Sequence, residues 1–306
     1  MISKIKYQDF LWLNIKKPTK KDLEYLETNF NFHPVVIKEL KKPSVRAHVD
    51  HFEDYLYFVY HIPIYDPAIR SSVPKEIDFI VTQNCLITAT YESIDIFEEF
   101  FKKCKEDIRM QELYLRDGPG GVIVEIIKIA IQFAFRELTH IAEKLKMVER
   151  EIFSEGKDEE EKVKEISFIK RDILNFQLIT RPHQKLLHSL FLEGSKFFGR
   201  KYKVYFSTLE AEEMKVIDTL QNYRDMVDSL ETTNSNLINI KINKIMKIIT
   251  VLAFITFPLT FLSSLFGMNV EYAPFLGKPG DFWIISFSML VLAFLMFVYF
   301  KRKKWI

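Results

Sequence analysis

The chain has 306 residues, which is enough for about two domains together with membrane-spanning segments. Its formal net charge of +2 is too small to indicate nucleic-acid binding, and its two cysteines, Cys85 and Cys104, are too few for a disulfide framework and fit a reducing compartment. The N-terminus has only a short apolar patch broken by Asp9, so we do not expect a signal peptide.

Residues 1–117 alternate strand and helix signals and predict a cytoplasmic α/β domain whose strand order the sequence leaves open. Thr19 is the expected N-cap of the first helix. Gln83-Asn84 joins two runs of β-branched and aromatic residues, which predicts a hairpin. The expected strands are 10–15, 48–52, 55–65, 77–82 and 85–91, and the expected helices are 19–28, 34–41 and 94–105.

A run of glycine and proline at 117–121 predicts the end of this domain. Two long helical stretches follow, 122–153 and 159–192, and the short turn between them predicts an antiparallel helical hairpin over 118–200. Pro182 should bend the second helix or break it.

A third helix is expected after Gly199, and it could run unbroken from Leu209 to Phe266 over about 87 Å. Residues 201–247 would form a cytoplasmic stalk, since only the last third fits inside a membrane. The predicted fold is therefore an α/β domain, a long α-helical stalk and two C-terminal transmembrane helices. The expected inward face of the stalk is Leu209, Ile217, Leu220, Tyr223, Val227 and Leu230.

Two stretches are apolar enough to span a bilayer, 248–266 and 282–300. They are joined by a loop at 267–281 and followed by a basic tail at 301–306. Basic residues precede the first span and follow the second, at the ends away from the connecting loop. This pattern predicts that the N- and C-termini lie in the cytoplasm and that the protein is a multi-pass protein of the plasma (inner) membrane. These basic residues are Lys244, Lys247, Lys301, Arg302, Lys303 and Lys304.

One stripe of the first span is unsuited to lipid because most of its residues are small or polar. Such a stripe indicates either a tight helix seam or a water-filled path. Two helices cannot enclose water, so a path would need several copies of the chain around an axis. The stripe consists of Asn243, Met246, Thr250, Ala253, Phe257, Thr260, Ser264 and Gly267.

The first span ends in Gly267-Met268-Asn269. This motif lies between two C-terminal spans, with Pro-Leu-Thr at 258–260, Glu-Tyr-Ala-Pro at 271–274 and a basic end at 301–305. The arrangement resembles the CorA family of magnesium and cobalt transporters, closely over residues 200–306 and by architecture elsewhere.

The resemblance implies a homopentamer in which the first spans line the pore and the second spans form an outer ring. It implies a selectivity motif at Gly267, Met268 and Asn269, where a ring of amide oxygens suits hydrated Mg²⁺. Glu271 would raise the external cation concentration. The positions that match the family's constrictions are Asn243, Met246, Ile249, Phe257 and Thr260, with Phe257 standing where relatives often have methionine.

Closure by cytoplasmic Mg²⁺ is also implied, through acids between neighbouring subunits. The candidates are Asp66, Glu210 and Glu212, while Thr208 stands where relatives may carry an aspartate. The basic residues at 244, 247 and 301–304 would form a collar that repels cations near the inner mouth.

The predicted function is Mg²⁺ uptake down the electrochemical gradient, with Co²⁺ and Ni²⁺ as further ions, through a homo-oligomeric pore in the lipid bilayer. Mg²⁺ is the transported and regulatory ion, and we expect no organic cofactor. We find no cluster of nucleophile, base and metal ligands in the sequence, so we do not expect an enzyme. Two alternatives stay open: a zinc transporter of the same family, and a membrane-tethered metal sensor that conducts nothing.

Overall fold

The computed structural model describes residues 2–44, 47–154, 158–268 and 280–305. The chain forms two compact units, Met1–Glu231 and Thr232–Ile306. The α/β architecture followed by long helices and two C-terminal apolar helices confirms the predicted fold class. The finer segment bounds at 117, 200 and 247 stay predictions.

The described residues of the first unit form a six-stranded sheet in the order β1-β2-β6-β5-β4-β3. Strands β2 and β6 are parallel, and every other neighbouring pair is antiparallel. The longest pairing, β4 with β5, runs from Leu56 opposite Val81 to Asp66 opposite Ser71. The strands are β1 (Ile2–Tyr7), β2 (Phe10–Lys16), β3 (Val49–His51), β4 (Leu56–Asp66), β5 (Ser71–Val81) and β6 (Cys85–Thr90).

Helices cover both faces of this sheet. The first unit contains α1 (Lys20–Asn29), α2 (Pro34–Glu39), α3 (Asp95–Glu106), α4 (Ile108–Leu115), α5 (Gly118–Phe153), α6 (Glu159–Ser189), a π-helical turn (Leu190–Gly194) and the short α7 (Ser195–Phe197). Helix α8 (Tyr202–Phe266) begins in the first unit and continues in the second, which also contains α9 (Asp281–Arg302).

The alternation of side chains along each strand divides the core into two layers. Leu13 and Tyr57 face α1 and α2 in one apolar cluster. Trp12 faces the other way, and its ring lies 4.8 Å from that of Phe101 on α3. Tyr60 of β4 stacks on His183 of α6 on this second side. The sheet is therefore enclosed on both faces, as the apolar strand sequences require.

Two elements were not predicted from the sequence. Strand β1 pairs with β2 across a tight turn at Gln8, which has a φ of 53°. This turn lacks the glycine or asparagine that normally identifies a two-residue hairpin. Helix α4 follows Asp107, whose carboxylate accepts a hydrogen bond from the Arg109 N–H at 2.8 Å. Eight residues are too few for a clear helical periodicity.

The glycine and proline run at 117–121 begins a helix, so the prediction that α5 starts at 122 is wrong by one turn. Pro119 is tolerated in the first turn of a helix, where its missing N–H would have no partner. At Gly120, an added Cβ would lie 2.7 Å from the ring of Tyr202 on α8. The Tyr202 hydroxyl donates to the Asp117 carbonyl at 2.6 Å. Gly120 thus permits the close approach of α8 to α5.

Helix α6 is continuous through Pro182, so of the two predicted outcomes the break does not occur, and a bend stays a prediction. Proline deprives the carbonyl four residues earlier of its helical donor. That carbonyl belongs to Leu178, whose side chain is 69% exposed. Because Leu178 lies on the exposed side of the helix, water can bind its carbonyl oxygen in place of the missing N–H.

The buried face of α8 in the first unit differs in part from the expected one. Leu209, Leu220, Val227 and Leu230 are buried as predicted, whereas Ile217 and Tyr223 are only half-buried. Three α8 side chains outside the expected face are buried instead, namely Phe206, Glu213 and Val216. A charged residue therefore occupies a core position of this helix.

Glu213 lies in a buried polar cluster with His183 and Tyr60. Its carboxylate is 2.8 Å from His183 Nδ1, and the Tyr60 hydroxyl donates to it at 3.5 Å. Burial, together with the charge of Glu213, raises the pKa of Tyr60 well above its usual range. This cluster links β4, α6 and α8, because each element contributes one of the three side chains.

A second buried acid lies on the α1 and α2 side of the sheet. Asp78 accepts hydrogen bonds from Tyr91 at 2.6 Å and from Tyr57 at 3.2 Å. Burial raises the pKa of Asp78 well above its usual range, and the charge of nearby Glu76 raises it further.

Three helices in the described residues are long and apolar enough to cross a membrane: α5, α8 and α9. Half of the apolar window of α5 is buried inside the protein, compared with 6% in α8 and none in α9. The apolar face of α5 belongs to the core of the first unit, which agrees with the prediction of two spans in α8 and α9.

We expect Asp78→Asn to weaken the pH dependence of stability. The raised pKa means that folded Asp78 keeps its proton to a higher pH than the unfolded residue does, so the free energy of unfolding falls as pH rises between the two values. Asparagine removes this contribution. Thermal unfolding of the purified chain from acidic to neutral pH measures the slope, and the exposed Asp218→Asn is the control. Equal slopes in all three proteins would contradict the prediction.

We expect His183→Leu to lower the free energy of unfolding by about 3–5 kcal/mol, because it leaves the Glu213 carboxylate buried without the imidazole that lies 2.8 Å from it. Replacing both residues by leucine should recover most of that loss, since no buried charge then remains. Denaturant unfolding of the single and double variants measures both effects. A double variant as unstable as the single one would show that the pair is not the source of the loss.

Candidate cation path

The second unit contains an uncharged stretch of α8, from Ile248 to Phe266, that the structure shows as continuous helix. A helix satisfies its backbone hydrogen bonds internally, as a bilayer requires. Pro258 lies inside this stretch without ending the helix. The stretch is therefore suited to cross the hydrocarbon core.

Helix α9 packs against one face of this stretch. Val251 is 2% exposed, and the ring of Phe254 lies 6.0 Å from that of Phe300 on α9. The half-buried Pro258 and Leu262 continue this face along α8. They follow Phe254 at helical spacings of four and eight residues and Val251 at spacings of seven and eleven, so one apolar side of α8 is covered within the same chain.

The predicted pore-lining stripe lies on a different side of α8. At 100° per residue, its mean direction is about 130° away from the face that α9 covers. Thr250 and Ala253 are half-buried, whereas the other predicted residues are exposed, with Phe257 at 74%. The exposed residues of the stripe are Asn243, Met246, Phe257, Thr260, Ser264 and Gly267, and Ile249, a predicted constriction position, is exposed as well. Helix α9 therefore leaves most of the stripe open.

The threonine hydroxyls of this stretch donate to the backbone of their own helix. Thr250 donates to the Met246 carbonyl at 2.7 Å, and Thr260 donates to the Thr256 carbonyl at 2.9 Å. A hydroxyl that gives its proton to the helix keeps oxygen lone pairs for an external donor or a cation. The stripe thus offers neutral acceptor oxygens.

The helix ends directly before the predicted selectivity motif. The Gly267 N–H donates to the Ser263 carbonyl at 2.9 Å, and an added Cβ on Gly267 would lie 3.2 Å from that oxygen. Such a contact is tight, which favours glycine at this helix end. Met268 is exposed. Asn269 and Glu271 lie outside the residues that the structure describes.

The two basic clusters of the second unit lie at the same end of the helix pair. The contact between Phe254 and Phe300 fixes this arrangement, since Lys247 precedes Phe254 by two turns and Lys301 directly follows Phe300. All six predicted collar residues are exposed: Lys244, Lys247, Lys301, Arg302, Lys303 and Lys304. The geometry agrees with two spans that return to one side.

The acids predicted to bind regulatory Mg²⁺ have partners within the chain. Asp66 accepts from the Ala68 N–H at 2.9 Å, and Glu210 lies 3.1 Å from His188 Nδ1. Glu212 is half-buried. In the described ranges, no group of three or more histidine, cysteine or acidic side chains could hold a metal. One chain does not assemble this site from the described residues, and its predicted location between subunits stays a prediction.

Sequence reasoning did not identify the cluster of His183, Glu213 and Tyr60. A signal was present, because His183 follows the buried Phe176 and Ile179 at helical spacing and so falls on the apolar side of α6. Its partner on α8 could not be found in this way, since 30 residues separate the two in sequence.

An α/β unit followed by two helices that are long and apolar enough to cross a membrane, with polar oxygens on one face of the first, indicates a membrane transport protein. The family model described as "CorA-like Mg2+ transporter protein" matches residues 7–302. The chain belongs to this family. It is accordingly a membrane transporter of divalent cations and not an enzyme.

Individual relatives support this assignment. The chain is 26% identical over 297 residues to the cobalt/magnesium transport protein CorA of Thermotoga maritima, covering 96% of this chain and 83% of that protein. Its fold matches the complete CorA magnesium transporter of Methanocaldococcus jannaschii with a TM-score of 0.84 at 20% identity, over 99% and 94% of the two chains. The cytoplasmic domain of ZntB from Vibrio parahaemolyticus matches with a TM-score of 0.62 at 14% identity, over 76% and 89%.

Engineered cysteines provide a test of which face of α8 meets water. We expect Thr260→Cys to react with a charged thiol reagent and Phe261→Cys to react far more slowly, although both parent residues are exposed in one chain. A thiol in lipid meets neither the charged reagent nor enough water to ionise. Burial raises the pKa of Cys85 and Cys104 to about 12, so the native thiols give a low background. Equal rates at positions 260 and 261 would refute a wet stripe.

Proposed function

We propose that the chain forms a homo-oligomeric channel for hydrated divalent cations, with Mg²⁺ as the principal ion and Co²⁺ and Ni²⁺ as further ions. The observation that carries this proposal is the position of the polar stripe on α8. It lies away from α9 and is mostly exposed, although residues on both sides of it suit hydrocarbon. Family membership supports cation transport.

Several copies are needed because two helices per chain cannot surround water. With the α8 helices around a common axis, the stripes face inward and the α9 helices fall on the outside, since α9 covers a face about 130° from the stripe. The resemblance to the family implies a pentamer. The lipid bilayer then surrounds the outer ring.

The chemistry of the stripe suits an ion that keeps its water. Mg²⁺ dehydrates reluctantly, and neutral oxygens can bind its coordinated water molecules without replacing them. Thr250 and Thr260 supply such oxygens inside the span. In this proposal a ring of Asn269 amides selects the hydrated ion at the outer mouth, Glu271 attracts cations there, and Gly267 gives the backbone room to turn.

Entry of the ion needs no chemical fuel. A divalent cation that crosses a membrane potential of about 100 mV gains roughly 4.6 kcal/mol, twice the value for one charge. The basic ends of the two spans orient the protein in the inner membrane with both termini in the cytoplasm. The transport cycle therefore requires Mg²⁺ as cargo and no organic cofactor.

Bulky apolar side chains narrow the proposed path. Met246 and Phe257 of the stripe are exposed, and so is Ile249, the predicted constriction position beside it. Apolar constrictions of this kind close a pore by losing water. The collar at 244, 247 and 301–304 adds electrostatic repulsion at the inner mouth.

Cytoplasmic Mg²⁺ closes the channel in this proposal by binding between copies. Asp66 and Glu210 are both on the first unit, and each keeps a short contact within its own chain. Metal binding at the subunit boundary would have to compete with these contacts or extend them, with Glu212 as a further ligand. Loss of the ion as its cytoplasmic concentration falls would release the copies from each other.

We expect Asn269→Ala to reduce Mg²⁺ flux into liposomes by about 10-fold to 100-fold, the usual loss when a group that binds a metal through its outer shell is removed. The matched control is Asn222→Ala, which removes an exposed amide from α8 in the first unit. Native and control proteins should conduct equally. Equal flux in all three proteins would remove Asn269 from its proposed role.

The same liposomes distinguish the two alternative functions. A zinc transporter of this family would carry Zn²⁺ in preference to Mg²⁺, and a tethered sensor would bind the ion without any flux. The likeness to the ZntB cytoplasmic domain concerns the fold and does not favour zinc. The mass of the detergent-solubilised protein also distinguishes a channel from a tethered sensor, since a monomer or dimer could not enclose a path.

A further inference from the structure

An apolar groove lies at the basic end of the second unit, between the last turns of α9 and the facing side of α8. Its volume is about 580 Å³, which is in the range of small-ligand pockets. Leu295, Met296 and Phe300 line the α9 side, and Phe254 of α8 and Trp305 form further walls.

A Schellman motif at the end of α9 places Trp305 beside this groove. The Trp305 N–H donates to the Phe300 carbonyl at 3.1 Å, and the Lys304 N–H donates to the Lys301 carbonyl at 3.1 Å. The two hydrogen bonds turn the chain back so that the rings of Trp305 and Phe300 lie 5.7 Å apart. This apolar contact normally accompanies the motif.

Lysine is an unusual residue at the turning position of this motif. Lys304 has a φ of 56°, a left-handed conformation that glycine adopts with less strain. A glycine there would ease the turn but remove a positive charge from the end of the groove. The strained position therefore places a positive charge beside the groove where glycine would place none.

The charge around the groove is almost entirely positive. Lys303 lines it directly, and the neighbouring Lys301, Arg302 and Lys304 are exposed. The described part of the second unit contains a single acidic residue, Asp281, and it lies at the opposite end of α9. A ligand that fits this environment has an apolar body and a negatively charged head.

Tyr299 and Trp305 add the features of a membrane interface. Both side chains are partly exposed and line the groove beside Lys303. Tyrosine and tryptophan favour the level of the lipid headgroups, and clustered basic residues next to a span attract anionic lipids. The groove therefore lies where an acyl chain and its headgroup would meet the protein.

We propose that this groove is a binding site for an anionic phospholipid of the leaflet next to the basic end. The acyl chain lies along Leu295 and Phe254, and the phosphate group lies at Lys303, with Lys304 adding charge. The proposal rests on the placement of α8 and α9 in a membrane and not on ion conduction, so its test does not depend on transport.

Fluorescence of Trp305 provides the test. The chain has three tryptophans: Trp12 is fully buried in the first unit, and Trp283 is exposed at the other end of α9. The Trp283→Phe variant of the full chain, in phosphatidylcholine vesicles, therefore reports lipid contact through Trp305. A small fraction of phosphatidylglycerol brominated near the headgroup end of its acyl chain should quench this emission more strongly than the same fraction of brominated phosphatidylcholine.

In this background we expect Lys303→Gln to reduce the preference for phosphatidylglycerol about fivefold, as the loss of one basic residue near an anionic surface implies. Lys146→Gln, which removes an exposed charge from α5, is the control and should leave the preference unchanged. Equal quenching by both lipids would overturn the anionic site. Absence of quenching by either lipid would show that a second copy of the chain covers the groove, and a preference unaffected by Lys303→Gln would also refute the proposal.

Discussion

The constraint on which the rest of the structure depends is the division of one helix into three environments. Between Ile248 and Phe266, α8 has to satisfy its backbone without water, and a helix is the way to do so in hydrocarbon. Its side chains point in three directions, each with different surroundings. Val251 and Phe254 meet α9, Phe261 suits lipid, and the stripe containing Thr250 and Thr260 needs a third environment. Neither lipid nor α9 provides it, which is why the arrangement favours association of several copies.

The same helix is held in the water-soluble unit by a different kind of interaction. Glu213 is buried against His183 and Tyr60, so a charge replaces the apolar side chain expected at that position. Removing a charged group from water is costly unless it is paired, and therefore the three side chains must stay together. The cluster makes the position of α8 depend on α6 and β4.

How much could be predicted from the sequence depended on whether the signal was local. The spans followed from charge-free length, and strands β4 to β6 followed from β-branched and aromatic runs. The first turn of α5 did not, because the reason for Gly120 is the ring of Tyr202, which is distant in sequence. Strand β1 was missed because Gln8 occupies a turn position that glycine or asparagine usually marks. The partner of His183 likewise depends on a tertiary contact that no local pattern contains.

The chemistry of the stripe also determines what kind of transporter the chain can be. An acid inside the span would hold a divalent cation strongly, since the interaction of two opposite charges grows as the dielectric falls. Thr250 and Thr260 instead present neutral oxygens whose protons are already donated to the helix. Conduction requires binding that is strong enough for entry and weak enough for release. If hydrated ions pass along the stripe as proposed, neutral acceptors that bind the water around the ion meet both conditions, and an uncharged stripe then favours rapid passage over tight binding.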